Sequence, residues 1–289
     1  MKTLPSAMLK QTSRRGFLAA AGVMAGATAM AGQSARPASA RRHPHKYEEL
    51  LPEEFYQEQR RAPIVYLPIG APEEHGLQSV LAVDPWTAYE VCLRAADRAG
   101  GIVYPVIPFA PAGHPAWSRE ELRRRAAEAA PPSCFVSREL CRMLYVELME
   151  SLADLGFKAC LAFSGHYPGD ALLQEIEKEF AGTIRGMKFW GGGTVSLLRD
   201  ALKELDKQQP LAGGHGMMWE TSIVMALNEH WVDLSRVDRI LSSPLTHQLK
   251  KQPPQRIAAI KSASAEFGNR YLNLAAERLA NRAAELLKT

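Results

Sequence analysis

Three glycine-punctuated segments carry the side chains best suited to chemistry. Gly70-Ala71-Pro72-Glu73-Glu74-His75-Gly76 sets two carboxylates beside an imidazole, and Asp84 follows nine residues after His75. Ser164-Gly165-His166-Tyr167-Pro168-Gly169-Asp170 puts a histidine on a tight turn, where its glycine neighbour suits it poorly to core packing. Gly213-Gly214-His215-Gly216-Met217-Met218-Trp219-Glu220-Thr221-Ser222 runs from a glycine-rich turn into an apolar helix opening close to Glu220. Carboxylates and imidazoles without a nearby thiol form a mixed nitrogen and oxygen donor set, which suits zinc, manganese or iron.

Plainer readings exist for the same residues. Asp84 before Pro85 has the form of an N-cap followed by proline at the first helical position, so it could simply satisfy free helix amides. Glu220, in a first helical turn, could do no more than complement the helix dipole. Taken one residue at a time, metal binding and structural duty both remain open.

The elements that must position these segments follow from apolar periodicity. Short apolar runs at 64–70, 102–109, 159–163 and 187–190 read as strands. Helical patterns lie near 86–99, 120–130, 138–155, 170–180, 195–205 and 219–227. Such alternation implies βα units, hence an α/β fold of three layers, helices on both faces of a mostly parallel central sheet. The last segment, 262–287, spaces Leu272, Leu274, Ala275, Leu279 and Leu286 as the stripe of a terminal amphipathic helix. In such sheets ligands bind beyond the carboxyl ends of strands, where all three segments fall.

With 289 residues, 46% hydrophobic and 23% charged, the chain has globular composition and length for one large α/β domain. Its first forty residues differ in kind. Ser13-Arg14-Arg15-Gly16-Phe17-Leu18 leads into a small-residue apolar stretch and then Pro37-Ala38-Ser39-Ala40, the form of a twin-arginine signal peptide cleaved after Ala40. The apolar stretch is shorter than the roughly 20 residues a spanning helix needs, so no stable membrane anchor is expected. The expected destination is the periplasm, reached through the twin-arginine export machinery.

Residues 1–40 hold five basic and no acidic residues, leaving 30 basic against 31 acidic residues in the remainder. A mature part so nearly neutral gives no electrostatic reason to expect nucleic acid as partner. Cys92, Cys134, Cys141 and Cys160 form no CxxC pair and read as free thiols. Residues 41–61, which include His43-Pro44-His45, read as a polar and solvated N-terminal arm before a single domain at 62–289. The run Arg119-Glu120-Glu121-Leu122-Arg123-Arg124-Arg125 reads as a solvated helix face.

In order along the chain, Glu73-Glu74-His75-Gly76, Asp84, Ser164-Gly165-His166 and His215 through Glu220-Thr221-Ser222 resemble the motifs of the creatininase (creatinine amidohydrolase) family. The similarity spans about 64–228, and it is the joint occurrence of the motifs that is specific. The resemblance implies a creatininase-like domain in which Glu73, His75, Asp84 and His166 hold two divalent metals, zinc, manganese or iron, with Asp84 bridging both. It implies hydrolysis of an amide C–N bond of a small molecule by a metal-activated water, with His215 as acid/base. His114, Tyr167 and Trp219 are candidates for substrate contact, and a homo-oligomer, by resemblance a hexamer, is expected.

Departures from the family pattern shape the expectation further. Creatininase itself has a metal-binding glutamate where this chain has Pro168, which has no ligating side chain. Glu220 is the first candidate to replace it, in the metal set and the catalytic set alike, and Asp170 is the second. A Trp-Asp pair that recognises substrate in creatininases appears here as Leu211 and Ala212, which argues against creatinine itself. Residues 116–131 look like an insertion beside the site. Two other outcomes are a weakened metal- or ligand-binding protein of the same fold, and a lactone or formamide hydrolase.

Overall fold

The computed structural model describes residues 42–112, 118–126, 133–246 and 249–288. The expected leader, His114 and both ends of the 116–131 segment lie outside the described residues. After a 3-10 turn at Tyr47–Glu49 come α1 (Pro52–Arg61), β1 (Ile64–Ile69), α2 (Val83–Ala99), β2 (Ile102–Val103), α3 (Arg119–Ala126) and α4 (Arg138–Asp154). Then follow β3 (Ala159–Ser164), α5 (Tyr167–Glu179), β4 (Thr183–Ile184), β5 (Met187–Gly193), α6 (Thr194–Gln208), α7 (Met218–Leu227), α8 (Pro254–Ala259) and α9 (Ala265–Lys288).

The sheet order is β2-β1-β3-β5-β4, parallel except for the β4–β5 hairpin. Every residue of β1 and β3 is buried, as expected of parallel strands covered on both faces. Along β1 the side chains alternate, Ile64 and Tyr66 toward one helix layer, Val65, Leu67 and Ile69 toward the other. The first layer brings α2, α7 and α9 onto the sheet through Val91, Ile223, Leu272 and Leu279. The second brings α4 and α5 through Tyr145, Met149, Leu172 and Ile176. This is the three-layer α/β/α arrangement that the sequence pattern implies.

Differences from the sequence reading have local causes. The apolar run at 102–109 yields only a two-residue strand, because Pro105 and Pro108 cannot donate to a ladder; Ile107 alone rejoins β1, bridging Ile69. Residues 42–61 are not solvated throughout. Phe55 of α1 packs into the core against Phe157, and buried His45 bonds through Nδ1 to the Gly101 carbonyl. The charged run of α3 is exposed at Arg119, Glu120, Arg123 and Arg124, as its composition predicts. All four thiols are free, and Cys92, Cys141 and Cys160 are buried. Among the described residues no helix is long and apolar enough to cross a membrane.

Strand order fixes where a ligand can go. From β1 the chain passes to β2 on one side and later to β3 on the other, so the connections leaving β1 and β3 part in opposite directions. A crevice opens at such a switch point, outside the carboxyl ends of the strands. Ile69 pairs with Ser164, so the two strands end level and their loops face one another. Two glycines let the start of α2 close this crevice from below. A methyl group on Gly70 would lie 2.3 Å from the Pro85 nitrogen, and one on Gly165 2.2 Å from the Asp84 carbonyl oxygen.

Neither clash can be relieved by turning a side chain, since both partners are backbone. Gly165→Ala is therefore expected to lower stability by about 1–3 kcal/mol, the usual cost of overpacking. A urea-unfolding midpoint equal to that of the parent chain would contradict the close approach of α2 to β3.

Candidate metal centre

Each of the three sequence segments delivers its chemistry to the crevice by a different local device. The first closes on itself: the Glu73 amide donates to the Leu81 carbonyl, and the Glu74 carboxylate accepts the Gly76 amide at 2.7 Å. In the second, Ser164 Oγ both donates to the His166 carbonyl and accepts the His166 amide, fixing the turn ahead of α5. In the third, the Glu220 carboxylate accepts the Gly216 amide, and Arg256 donates to the Gly213 carbonyl. Gly216, at φ +65°, abuts His75 so closely that a methyl group there would lie 2.9 Å from the His75 carbonyl carbon.

Asp84 does not cap α2. The helix begins at Val83 after Ala82, no side chain caps it, and the Asp84 carboxylate points into the crevice between two histidines. Asp84 Oδ2 is 2.8 Å from His166 Nδ1, and Oδ1 is 3.1 Å from His75 Nε2. Glu73 Oε1 lies 3.2 Å from His166 Nδ1 and 3.4 Å from His215 Nδ1. Glu220 Oε2 is 3.7 Å from His75 Nε2. The His75 and His215 rings lie 4.3 Å apart, centre to centre.

Ligand atoms of Glu73, Asp84 and His166 all lie within 4.8 Å of one another, and so do those of His75, Asp84 and Glu220. Asp84 belongs to both sets. Glu73, His75 and His215 form a third set of the same compactness, so His215 stands at the edge of the same cluster.

Hydrogen bonding tests whether these residues fit a cation. His75 Nδ1 bonds to the Glu73 carbonyl at 3.2 Å, His166 Nε2 to the Pro111 carbonyl at 3.1 Å, and His215 Nε2 to the Glu74 carbonyl. A carbonyl only accepts, so each ring spends an N–H there and turns its other nitrogen toward carboxylates. His75 Nε2 is buried and, although Asp84 Oδ1 lies 3.1 Å away, makes no aligned hydrogen bond. Lone pairs of two buried imidazoles facing three carboxylates need positive charge between them, supplied by protons or by divalent ions. Oxygen and imidazole donors with a shared carboxylate fit the latter.

The titration shifts state the same tension. Burial alone would depress both buried histidines. The Asp84, Glu220 and Glu73 carboxylates overcome it for His75, holding it well above the usual imidazole value. For His166, hydrogen bonds to Asp84 and Glu73 push it up to about 10 against its burial. Asp84 is held below the ordinary carboxylate range by His75 and His166, although its burial works the other way. Desolvation raises Glu220 against the pull of His75 and His215, and burial raises Glu74.

The structure thus brings together Glu73, His75, Asp84, His166, His215 and Glu220. Pro168 lines the same cavity without a donor, while Glu220 reaches His75 and Asp84 from α7. Asp170, the second candidate for that place, is spent elsewhere: Oδ2 accepts the Ser196 amide at 2.9 Å and Oδ1 accepts Gln174 Nε2 at 2.7 Å. Tyr167, 65% exposed, stands at the cavity mouth and Trp219 in its wall. His114 lies outside the described residues.

Gln78 is the residue that sequence reasoning missed. Buried, it donates through Nε2 to the His75 carbonyl at 3.0 Å, the Gly216 carbonyl at 2.9 Å and Thr221 Oγ1 at 3.1 Å. It ties the first segment to the third, so that His75 and Glu220 keep their spacing. Within Glu220-Thr221-Ser222 the duties therefore divide. Glu220 faces the centre, Thr221 meets Gln78, and Ser222 Oγ accepts the Ser264 amide where α9 is about to begin.

The family model described as creatinine amidohydrolase matches residues 48–283. A creatinine amidohydrolase of Pseudomonas putida is 24% identical over 237 residues, covering 75% of this chain and 87% of that protein. A crystal structure of creatinine amidohydrolase (creatininase) superposes with a TM-score of 0.62 at 22% identity, over 85% of this chain and 98% of the other. A mutant creatininase of Zn-Zn type gives 0.62 and a manganese creatininase 0.61, each 22% identical over 83% of this chain and 97% of its own. At such identities the superpositions speak for the fold.

Because carboxylates hold His75 and His166 above the usual imidazole value, cations entering the centre compete with protons there. Affinity for zinc or manganese is expected to rise with pH, and binding at pH 7 should release protons, that of His166 among them. Calorimetric titration in buffers of different ionisation enthalpy measures this; an enthalpy independent of buffer would contradict it. The same shifts stabilise the metal-free fold fully below the ordinary imidazole value near 6.5. For His166 that stabilisation fades as pH rises toward about 10. Chelated protein should accordingly lose thermal stability between pH 7 and 10 more steeply than a His166→Gln variant does.

Proposed function

The chain belongs to the creatininase family, and from that premise we propose that it hydrolyses a C–N bond of a small amide at a two-metal centre. Glu73, Asp84 and His166 would hold one divalent ion, zinc, manganese or iron, and His75, Asp84 and Glu220 the other. The observation that carries this reading is the pair of three-residue donor sets sharing Asp84, together with the buried His75 Nε2 that makes no aligned hydrogen bond. Divalent ions held there would supply Lewis acidity for the hydrolysis.

The chain's own residues do the rest. The backbone carbonyls of Glu73 and Pro111 hold His75 and His166 in the tautomers that face the centre. Glu220 takes the place that Pro168 leaves without a donor, which supports hydrolysis over the reading of a weakened binding protein. His215 has one nitrogen committed to the Glu74 carbonyl and the other, Nδ1, turned to the centre beside Glu73. We assign to Nδ1 the proton that must reach the departing nitrogen. Tyr167 at the mouth and Trp219 in the wall contact the substrate. Export by the twin-arginine route would carry the folded, metal-loaded protein to the periplasm.

Metal content per protomer of the purified protein, measured beside His166→Ala and Glu220→Gln, tests the reading. Two ions are expected in the parent and one or fewer in each variant. Amide hydrolysis should fall in both variants by more than the roughly 10–100-fold that losing a hydrogen-bond partner of a ligand costs. A parent that holds no metal after loading, or variants as active as the parent, would refute it. A His215→Ala protein that keeps its metal and its activity would remove His215 from the proton-transfer role.

A further inference from the structure

The cavity at the metal centre, about 320 Å³ in volume, is a chamber lined by apolar side chains as well as by the donor residues. The apolar part of its lining is Val83, Val195, Leu202, Trp219 and Ile223, with Tyr271 from α9, beside the hydroxyls of Thr87 and Thr194. Among the described residues no lysine or arginine lines the cavity. Outside the donor set, the acidic side chain of the lining, Asp170, already accepts the Ser196 amide and Gln174 Nε2. Two buried polar atoms of the wall have no hydrogen-bond partner, Thr87 Oγ1 and Trp219 Nε1, and the latter can only donate.

From this we infer that the substrate is an uncharged amide whose non-scissile part is an aliphatic or aromatic group seated in that chamber. The inference rests on the hydrolase reading for the word amide, and on the chamber alone for the word uncharged. A carboxylate or phosphate on that part of the molecule would lose its water and find no cation, while an ammonium would find no free carboxylate short of the metal centre. An apolar group loses nothing by desolvation and gains the contact of five apolar side chains.

The test uses the metal-loaded protein with three matched amides: phenylacetamide and its para-carboxylate and para-aminomethyl derivatives. Binding is read by calorimetry and turnover by ammonia release. Phenylacetamide is expected to bind at least about tenfold more tightly than either charged derivative, the scale on which apolar pockets discriminate. Leu202→Arg should shrink the preference for phenylacetamide over the para-carboxylate by about tenfold or more. Val195→Lys carries the same expectation should the arginine variant fail to fold. Charged derivatives that bind as well as phenylacetamide, or no binding of any of the three, would overturn the assignment. Preferential binding of phenylacetamide without turnover would leave the chamber assignment standing and count against hydrolysis. Turnover of all three alike would do the reverse.

Discussion

Three carboxylates and three imidazoles converge within a few ångströms at the ends of two buried strands, and their charges must balance. Asp84 bears the constraint most heavily, since each of its oxygens faces a different buried histidine. Removing such a carboxylate from water is costly unless positive charge is held against it. The surroundings are arranged to keep that charge in place: main-chain carbonyls fix the outer nitrogen of each ring, so the inner nitrogens have no direction left but toward the carboxylates.

That convergence dictates much of the scaffold. The switch of chain direction at β1 and β3 opens the crevice, and their level ends let the Glu73 and His166 loops oppose one another. Gly70 and Gly165 exist as glycines because the first turn of α2 must come within contact of both strands to deliver Asp84. On the far side, Gly216 permits the third loop to lie against His75, and Gln78 fastens the two together. The long helix α9 supports this from outside the centre. Gly268 packs on the Ser222 carbonyl, and Tyr271 reaches the cavity wall.

Much of this was legible in the sequence, for reasons that differ by residue. Strands β1, β3 and β5 announce themselves as short apolar runs followed by glycine or serine, and α9 by its spaced leucines. Glu73, His75, His166 and His215 were legible because they lie in glycine-containing turns, Asp84 and Glu220 because they open helices. Asp84 shows the ambiguity of local reading: its sequence looks like a cap, yet the structure assigns capping to no side chain and turns the carboxylate to the histidines. The segment between α7 and α9 builds from 3-10 turns and the six-residue α8, pieces too short to leave an apolar period to detect. Helix α1 was hidden by its polarity, since Phe55 is its one buried residue. Gln78 gave no signal because its role depends on partners 138 and 143 residues away. Glu220 as a candidate to replace the donor missing at Pro168 came from the family resemblance and not from any local feature of the sequence.

The most direct measurement of the shared role of Asp84 is anomalous diffraction from crystals of the protein loaded with zinc or manganese. Two peaks about 3.5–4 Å apart, one on each side of the Asp84 carboxylate, are the expected result for such a two-metal site. One peak lies among Glu73, Asp84 and His166, the other among His75, Asp84 and Glu220. A single peak, or a pair in which Asp84 touches only one ion, would contradict the shared centre.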